Sequence, residues 1–242
     1  MRLFDFLFGR KPRVFAISDL HFASQVNKPM DVFGGEWPGY EKKIEKDWKK
    51  RVHKNDIVVV AGDISWGMTL EEALPDIKKI ASFGGKIVLC KGNHDYWWKS
   101  VSKIRDVLPE NMIVLQNDAA KIGDFVFCGT RGWKQPERGK QLDVKDEKIL
   151  AREEQRMAIA LKEAKKLQTK NEKLFVVMHY PPTNSRLDES EFTKMFALNG
   201  VDYVVFGHLH GKARKTLCYK KGKTSYFLTS CDQIGNRLVR IK

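Results

Sequence analysis

Five short apolar runs in this chain stop abruptly at polar residues, and no other feature constrains the fold as much. Val14–Ile17 ends at Ser18-Asp19, Ile57–Ala61 at Gly62-Asp63, and Lys86–Cys90 at Lys91-Gly92-Asn93-His94. Leu174–Met178 ends in His179, and Val201–Phe206 in Gly207-His208. Rich in Val and Ile and lacking apolar–polar alternation, these runs predict strands buried on both faces. Met112–Leu115, Phe125–Cys128, Ser225–Leu228 and Arg237–Ile241 predict further strands.

Helices alternate with them. Ile44, Trp48 and Val52, four apart, mark one helix. Thr69 and Glu72 form a capping-box pattern ahead of a second, with Pro75 blurring where it starts. Trp97, Val101, Ile104 and Leu108 line a face of a third, stopped by Pro109. A long charged helix covers about 146–168, and Phe192, Met195 and Phe196 sit on a fifth. The alternation makes this an α/β chain, with its polar signatures at strand ends, where open α/β sheets place ligands. Its 242 residues suit a single domain over 13–242, preceded by an N-terminal extension over 1–12.

Apolar residues make up 42% of the chain, which argues against global disorder. No apolar run approaches the roughly 20 residues of a membrane-spanning helix. Met1 to Lys11 carries Asp5 and lacks a small-residue cleavage site, so it does not read as a secretory signal. Cys90, Cys128, Cys218 and Cys231 are scattered without a CxxC pair, which predicts free thiols and a cytoplasmic setting.

The net charge of +14 attracts anions: a phosphorylated substrate, nucleic acid or an anionic membrane surface. It also reads as a solvated surface, because much of the excess lies on helices that carry acids. Lys212 to Lys223 is the exception, with six basic residues and no acid. Near the start, Leu3, Phe4, Leu7 and Phe8 form an apolar stripe bracketed by Arg2, Arg10 and Lys11. That stripe fits a membrane-surface anchor less well than a terminal element packed on the domain, because so short a stripe binds lipid weakly alone.

Of six histidines, His21, His94, His179, His208 and His210 follow or end an apolar run, each beside Asp, Asn, Gly or another His. Carboxylate, imidazole and amide oxygen together suit Mn²⁺, Fe or Zn²⁺ rather than a thiolate site. If the Asp19–His21 segment is extended, both side chains point one way and reach one ion. His208 and His210 fit a curled loop facing two ions. Each fragment alone also reads as an ordinary Asx-rich turn, but five in order at strand ends are what metal chemistry needs. His53 instead closes a lysine-rich helix, where the helix dipole favours it.

The order Asp19-x-His21, Gly62-Asp63, Gly92-Asn93-His94-Asp95, His179, Gly207-His208-x-His210 resembles the calcineurin-like metallophosphoesterase superfamily over about residues 13–232. The longer strings Gly62-Asp-Ile-Ser-Trp66 and Gly92-Asn-His-Asp-Tyr-Trp-Trp98 resemble a group of bacterial predicted phosphohydrolases within it. The resemblance implies a four-layer α/β/β/α sandwich and two divalent metal ions, Mn, Fe or Zn. Asp19, His21 and His210 would hold one ion; Asn93, His179 and His208 the other; Asp63 would bridge them. It further implies hydrolysis of a phosphate monoester or diester by in-line attack of a metal-bridging hydroxide. His94 would protonate the leaving oxygen or clamp the phosphate, with Asp95 orienting it. The Ser/Thr protein phosphatases of this superfamily carry a second Asp three residues after the bridging one. Here Trp66 stands there, which argues against protein phosphatase activity.

Trp66, Trp97, Trp98 and Trp133 follow these motifs and admit two readings, an aromatic wall for a flat leaving group or ordinary core packing. Trp66 and Trp98 suit the wall best. Arg131 fits a phosphate contact or a surface salt bridge, and Cys231 a buried small hydrophobe. The basic charge tilts the substrate toward a nucleotide or nucleic-acid-derived diester. The alternatives in other classes are a non-catalytic metal-containing binding module and a nucleic-acid-binding protein on the same fold.

Overall fold

A computed structural model describes residues 10–169, 171–211 and 216–242. The Leu3–Phe8 stripe, with Lys212, Arg214 and Lys215, lies outside them.

Every expected strand is present, in two sheets. In the first, β1 (Val14–Ile17), β2 (Ile57–Ala61), β3 (Lys86–Cys90) and β4 (Met112–Leu115) run parallel in chain order. Strand β11 (Val239–Arg240), shorter than expected, pairs antiparallel with β1. Helices α1 (Tyr40–Arg51), α2 (Leu70–Ala81) and α3 (Val101–Val107) are the crossovers. The second sheet has the order β5 (Asp118–Ile122), β6 (Phe125–Gly129), β7 (Lys173–Val177), β8 (Tyr203–Phe206), β10 (Thr224–Leu228), β9 (Cys218–Lys221). Its four inner strands are parallel, and β5 and β9 are antiparallel edges. Helices α4 (Val144–Leu167) and α5 (Glu191–Leu198) complete it.

Successive residues of one strand enter two different cores, because side chains alternate across a sheet. Phe15 and Ile17 pack with Ile44, Trp48, Ile77 and Ile80 under α1 and α2. Val14 and Ala16 face the other way, against Phe127, Phe175, Val177 and Val205 of the second sheet. On the far side, Val126, Cys128, Leu174 and Val176 pack under Met157, Leu161, Phe192 and Phe196. The layers are therefore helix, sheet, sheet, helix. Burial on both faces is why the runs are apolar without alternation.

Local differences have local causes. The Thr69–Glu72 capping box forms, but Pro75 lies inside α2 rather than at its start. Helix α3 begins at Val101 after the N-cap Ser100, so Trp97 stands in the turn before it, with its indole N–H donating to Asp95. Strands β5 and β9 carry no apolar run, because as edge strands they are mostly half-exposed.

Asp56 ties the start of β1 to that of β2. Its buried carboxylate accepts from the backbone N–H of Arg13 (2.8 Å) and His53 (3.0 Å) and from the Arg10 guanidinium (2.7 Å). Asp56→Ala leaves those donors unmatched, so we expect a loss of about 2–4 kcal/mol, read as a lower midpoint in urea with an unchanged slope.

Candidate metal centre

Parallel strands deliver their C-terminal ends to one edge, and the polar loops begin there. The loop after β1 runs alongside the loop after β2: Asp19 N–H donates to Gly62 O (2.9 Å), His21 N–H to Asp63 O (3.0 Å) and Phe22 N–H to Ile64 O (3.1 Å). Asp19, His21, Asp63 and His208 have φ of 59°, 47°, 53° and 71°. Non-glycine residues avoid this left-handed region, at a cost of order 1–3 kcal/mol each, and such strain gathers at functional sites. The Asp19–His21 segment is therefore curled, not extended, and its two side chains still converge. Glycine is required where loops touch. A Cβ on Gly92 would lie 2.0 Å from Asp63 Oδ1, and one on Gly207 would lie 2.4 Å from Asp19 Oδ2.

The convergence has two parts. Asn93 Oδ1 lies 2.8 Å from His179 Nε2 and 2.9 Å from His208 Nδ1, and those two nitrogens are 3.3 Å apart. Donors about 2.1 Å from one cation stand about 3.0 Å apart in an octahedron and about 3.4 Å in a tetrahedron, so this triangle has the spacing of one coordination sphere. His179 Nδ1 lies 3.0 Å from Ala61 O, a contact that puts the proton on Nδ1 and the lone pair on Nε2. In the second part, ligand atoms of Asp19, His21 and His210 lie within 4.8 Å of one another. Asp63 Oδ2 stands between the parts, 3.7 Å from His21 Nε2 and 3.4 Å from His179 Nε2. Asp19, assigned by its motif to one part, also groups with Asp63 and His179 within 4.8 Å.

Charge is concentrated and buried here. Burial pushes the Asp63 carboxyl up to about 7; Asp19 and Asp95 add to this against the pull of His179. Burial acts to raise Asp19 as well, but His210, His179 and His21 outweigh it and hold the group well below the usual carboxylate range. Burial pushes His21 and His208 down to about 3, which keeps both rings neutral and able to donate a lone pair. His210 is the exception: burial acts downward, but Asp19 and Asp232 overcome it and push the ring up to about 10. His21 Nδ1 is buried and hydrogen-bonds to no described residue. Clustered carboxylates, the neutral rings of His21 and His208 and an amide oxygen fit divalent cations, which would offset the crowded negative charge; a cation beside Asp19 would take the place of the second His210 proton and free that ring's lone pair.

His94 lies beside this cluster. Its backbone N–H donates to Asp63 Oδ1 (2.8 Å), and its half-buried ring packs 4.7 Å from Trp66. Asp95 does not orient it. The fully buried Asp95 carboxylate accepts instead from the N–H groups of Asp63 (2.9 Å), Ile64 (2.8 Å), Ser65 (3.3 Å) and Gly92 (2.7 Å) and from the Trp97 indole (3.1 Å). The polar neighbour of the His94 ring is Tyr96, whose hydroxyl is 3.4 Å from Nδ1. Trp66 stacks on His21, with ring centroids 4.7 Å apart. Trp98, by contrast, is core, its indole N–H donating to Gln116 (2.6 Å), so it forms no wall. Cys231 is buried, as expected, with its thiol donating to Asp19 O. His53 lies before β2, at the opposite end of the strands.

Sequence reasoning missed Asp232 and Tyr180. Asp232 Oδ1 sits 2.8 Å from His210 Nδ1, the carboxylate–histidine pairing that orients metal ligands. Its signal was present: β10 also ends at a polar stretch, Thr229-Ser230-Cys231-Asp232. The Tyr180 ring packs 4.0 Å from His208.

The sequence model for calcineurin-like phosphoesterases matches residues 12–212, and the chain belongs to that family. No curated protein sequence matches it. Among solved structures, the Thermus thermophilus protein TT1561 is 12% identical with a TM-score of 0.57, covering 95% of this chain and 97% of that one. A protein of unknown function from Aquifex aeolicus is 12% identical with a TM-score of 0.49, covering 95% of each chain. Purple acid phosphatase PPD1 from yellow lupin (Lupinus luteus) is 14% identical with a TM-score of 0.48, covering 90% of this chain and 43% of its own.

Asp95→Asn replaces an acceptor oxygen by an amide that faces backbone N–H groups. We expect a lower melting temperature together with metal affinity reduced about 10–100-fold, measured by metal content after dialysis. Unchanged metal affinity alongside a lower melting temperature would limit Asp95 to the fold.

Proposed function

We propose that the chain hydrolyses phosphate esters with a pair of divalent cations, manganese, iron or zinc. Asp19, His21 and His210 hold one, Asn93, His179 and His208 the other, and Asp63 lies between. The observation that carries this reading is the Asn93–His179–His208 triangle, with sides of 2.8, 2.9 and 3.3 Å, beside the Asp19–His21–His210 group. Bound there, the cations supply charge neutralisation for the phosphoryl group and a water that ionises near neutral pH.

The chain's own residues do the rest. Asp232 and Ala61 O hold the His210 and His179 rings in place. Trp66 and Tyr180 pack against His21 and His208 and keep bulk water from those faces. His94, beside the cluster and with the Tyr96 hydroxyl 3.4 Å from Nδ1, would give a proton to the leaving oxygen. With Trp66 in place of a second Asp, packing replaces a carboxylate beside His94.

The substrate is a phosphate monoester or diester. The basic charge favours a nucleotide or nucleic-acid-derived diester. A complete donor set speaks against a non-catalytic module or a purely nucleic-acid-binding protein. The same reading takes 13–242 as one domain and sets it in the cytoplasm, in line with its free cysteines. Among the described residues, no helix is long and apolar enough to cross a membrane.

Chelation should abolish hydrolysis of p-nitrophenyl phosphate and bis-p-nitrophenyl phosphate, and added Mn²⁺ should restore it. The ratio of the two rates reads monoester against diester preference, and full activity in rigorously metal-free protein would refute the reading.

His94→Ala should cost little on p-nitrophenyl esters, whose leaving group needs no proton, and about 10²–10⁴-fold on alkyl esters. A uniform loss across leaving groups would make His94 a phosphate clamp instead.

A further inference from the structure

Beside the metal centre, the ends of β3, β4 and β6 and helix α4 enclose a cleft of about 300 Å³. Lys91, Lys99, Arg131, Arg152 and Arg156 line it, with Glu153 as the one carboxylate among them. Glu153 is fully buried and already engaged, accepting from the Thr130 hydroxyl (2.6 Å), Gly132 N–H (3.1 Å) and Arg156 (2.6 Å).

Arg131 and Arg156 share that single carboxylate, which leaves the cleft with excess positive charge. Arg131 is 3.9 Å from Glu153 and stacks on the Trp133 ring at 4.6 Å. Its Nε is buried and hydrogen-bonds to no described residue. The Lys91 side chain donates to a neutral carbonyl, that of Trp98 (2.6 Å), and makes no ion pair among the described residues. Among the described residues, Lys99 and Arg152 form no ion pair. Five cations around one already satisfied carboxylate leave a strong positive potential in the cleft.

We infer that this cleft binds a phosphate-class oxyanion at a site distinct from the metal centre. Guanidinium forks and ammonium groups converging on a partly enclosed space match the geometry of phosphate oxygens. The volume is ample for a phosphate group or diphosphate with some water. The cleft also borders the catalytic edge: Lys91 is two residues from Asn93, and the Arg131 carbonyl accepts the N–H groups of His179 and Tyr180, each at 3.0 Å. The ligand is thus either a second phosphate of the substrate or a separate small phosphate. The inference rests on the charges of the cleft and not on the proposed activity.

The test is calorimetric titration of inorganic phosphate and pyrophosphate into the full chain, as purified and again after chelation. The exposed pair Lys99→Gln/Arg152→Gln is the main variant, Arg156→Gln the second and Lys54→Gln a control at the far end of the sheet. Binding that survives chelation, weakens about tenfold or more in the double variant and is unchanged in Lys54→Gln supports the site. No binding by the chelated wild type, or binding indifferent to both cleft variants, overturns it. Melting curves without ligand confirm that the variants fold. Turnover of p-nitrophenyl phosphate and of a nucleoside 3′,5′-bisphosphate then separates the two sources. A higher KM for the bisphosphate alone places its second phosphate in the cleft, while unchanged KM values with lost phosphate binding identify a separate anion. Absence of all turnover would sink the phosphoesterase reading and leave the binding result standing.

Discussion

Asp95 receives five N–H donors in the interior, four of them backbone groups from the loops after β2 and β3. Burying an ionised carboxylate is costly unless donors surround it, and here the donors are the motif loops themselves. By accepting from Asp63, Ile64, Ser65 and Gly92, it sets how far apart the side chains of Asp63 and Asn93 stand. The candidate metal centre depends on that separation.

The centre is strained and electrostatically crowded, so it must be held from outside. Four of its residues are left-handed, and the carboxylates of Asp19, Asp63 and Asp95 are buried close together. Support comes from both sheets: the loops after β1, β2 and β3 bring Asp19, His21, Asp63 and Asn93, and those after β7 and β8 bring His179, His208 and His210. The core between the sheets, with Phe127, Phe175 and Val205 facing Val14 and Ala16, keeps these two groups in register. A close-packed interior resists the small shifts that would open a coordination sphere.

Central strands were legible because both faces are covered, which demands continuous apolar residues such as Ile57–Ala61. Edge strands were not: in β9, Cys218-Tyr-Lys-Lys221, only Tyr219 meets the core, and the segment reads as a basic loop. Trp97 has helical spacing to Val101 and Ile104, yet its indole is drawn to Asp95 and the helix begins later. Spacing along the chain does not register a buried acceptor that competes for the same side chain.

The sequence by itself determined the α/β class, the central strands and most of the polar residues at their ends, since burial and chemistry are written in residue type. Only the tertiary structure decided how those residues meet. It set the curl of Asp19 and His21, the triangle of Asn93, His179 and His208, the placing of Asp63 between the two parts, and the pairing of His210 with Asp232. It also turned Asp95 from a neighbour of His94 into the acceptor that fastens two loops, and drew five cations from three segments into one cleft. Most of these contacts join residues 22 or more positions apart in the chain, the triangle spanning 115. They follow from the stacking of two sheets, which no local pattern encodes.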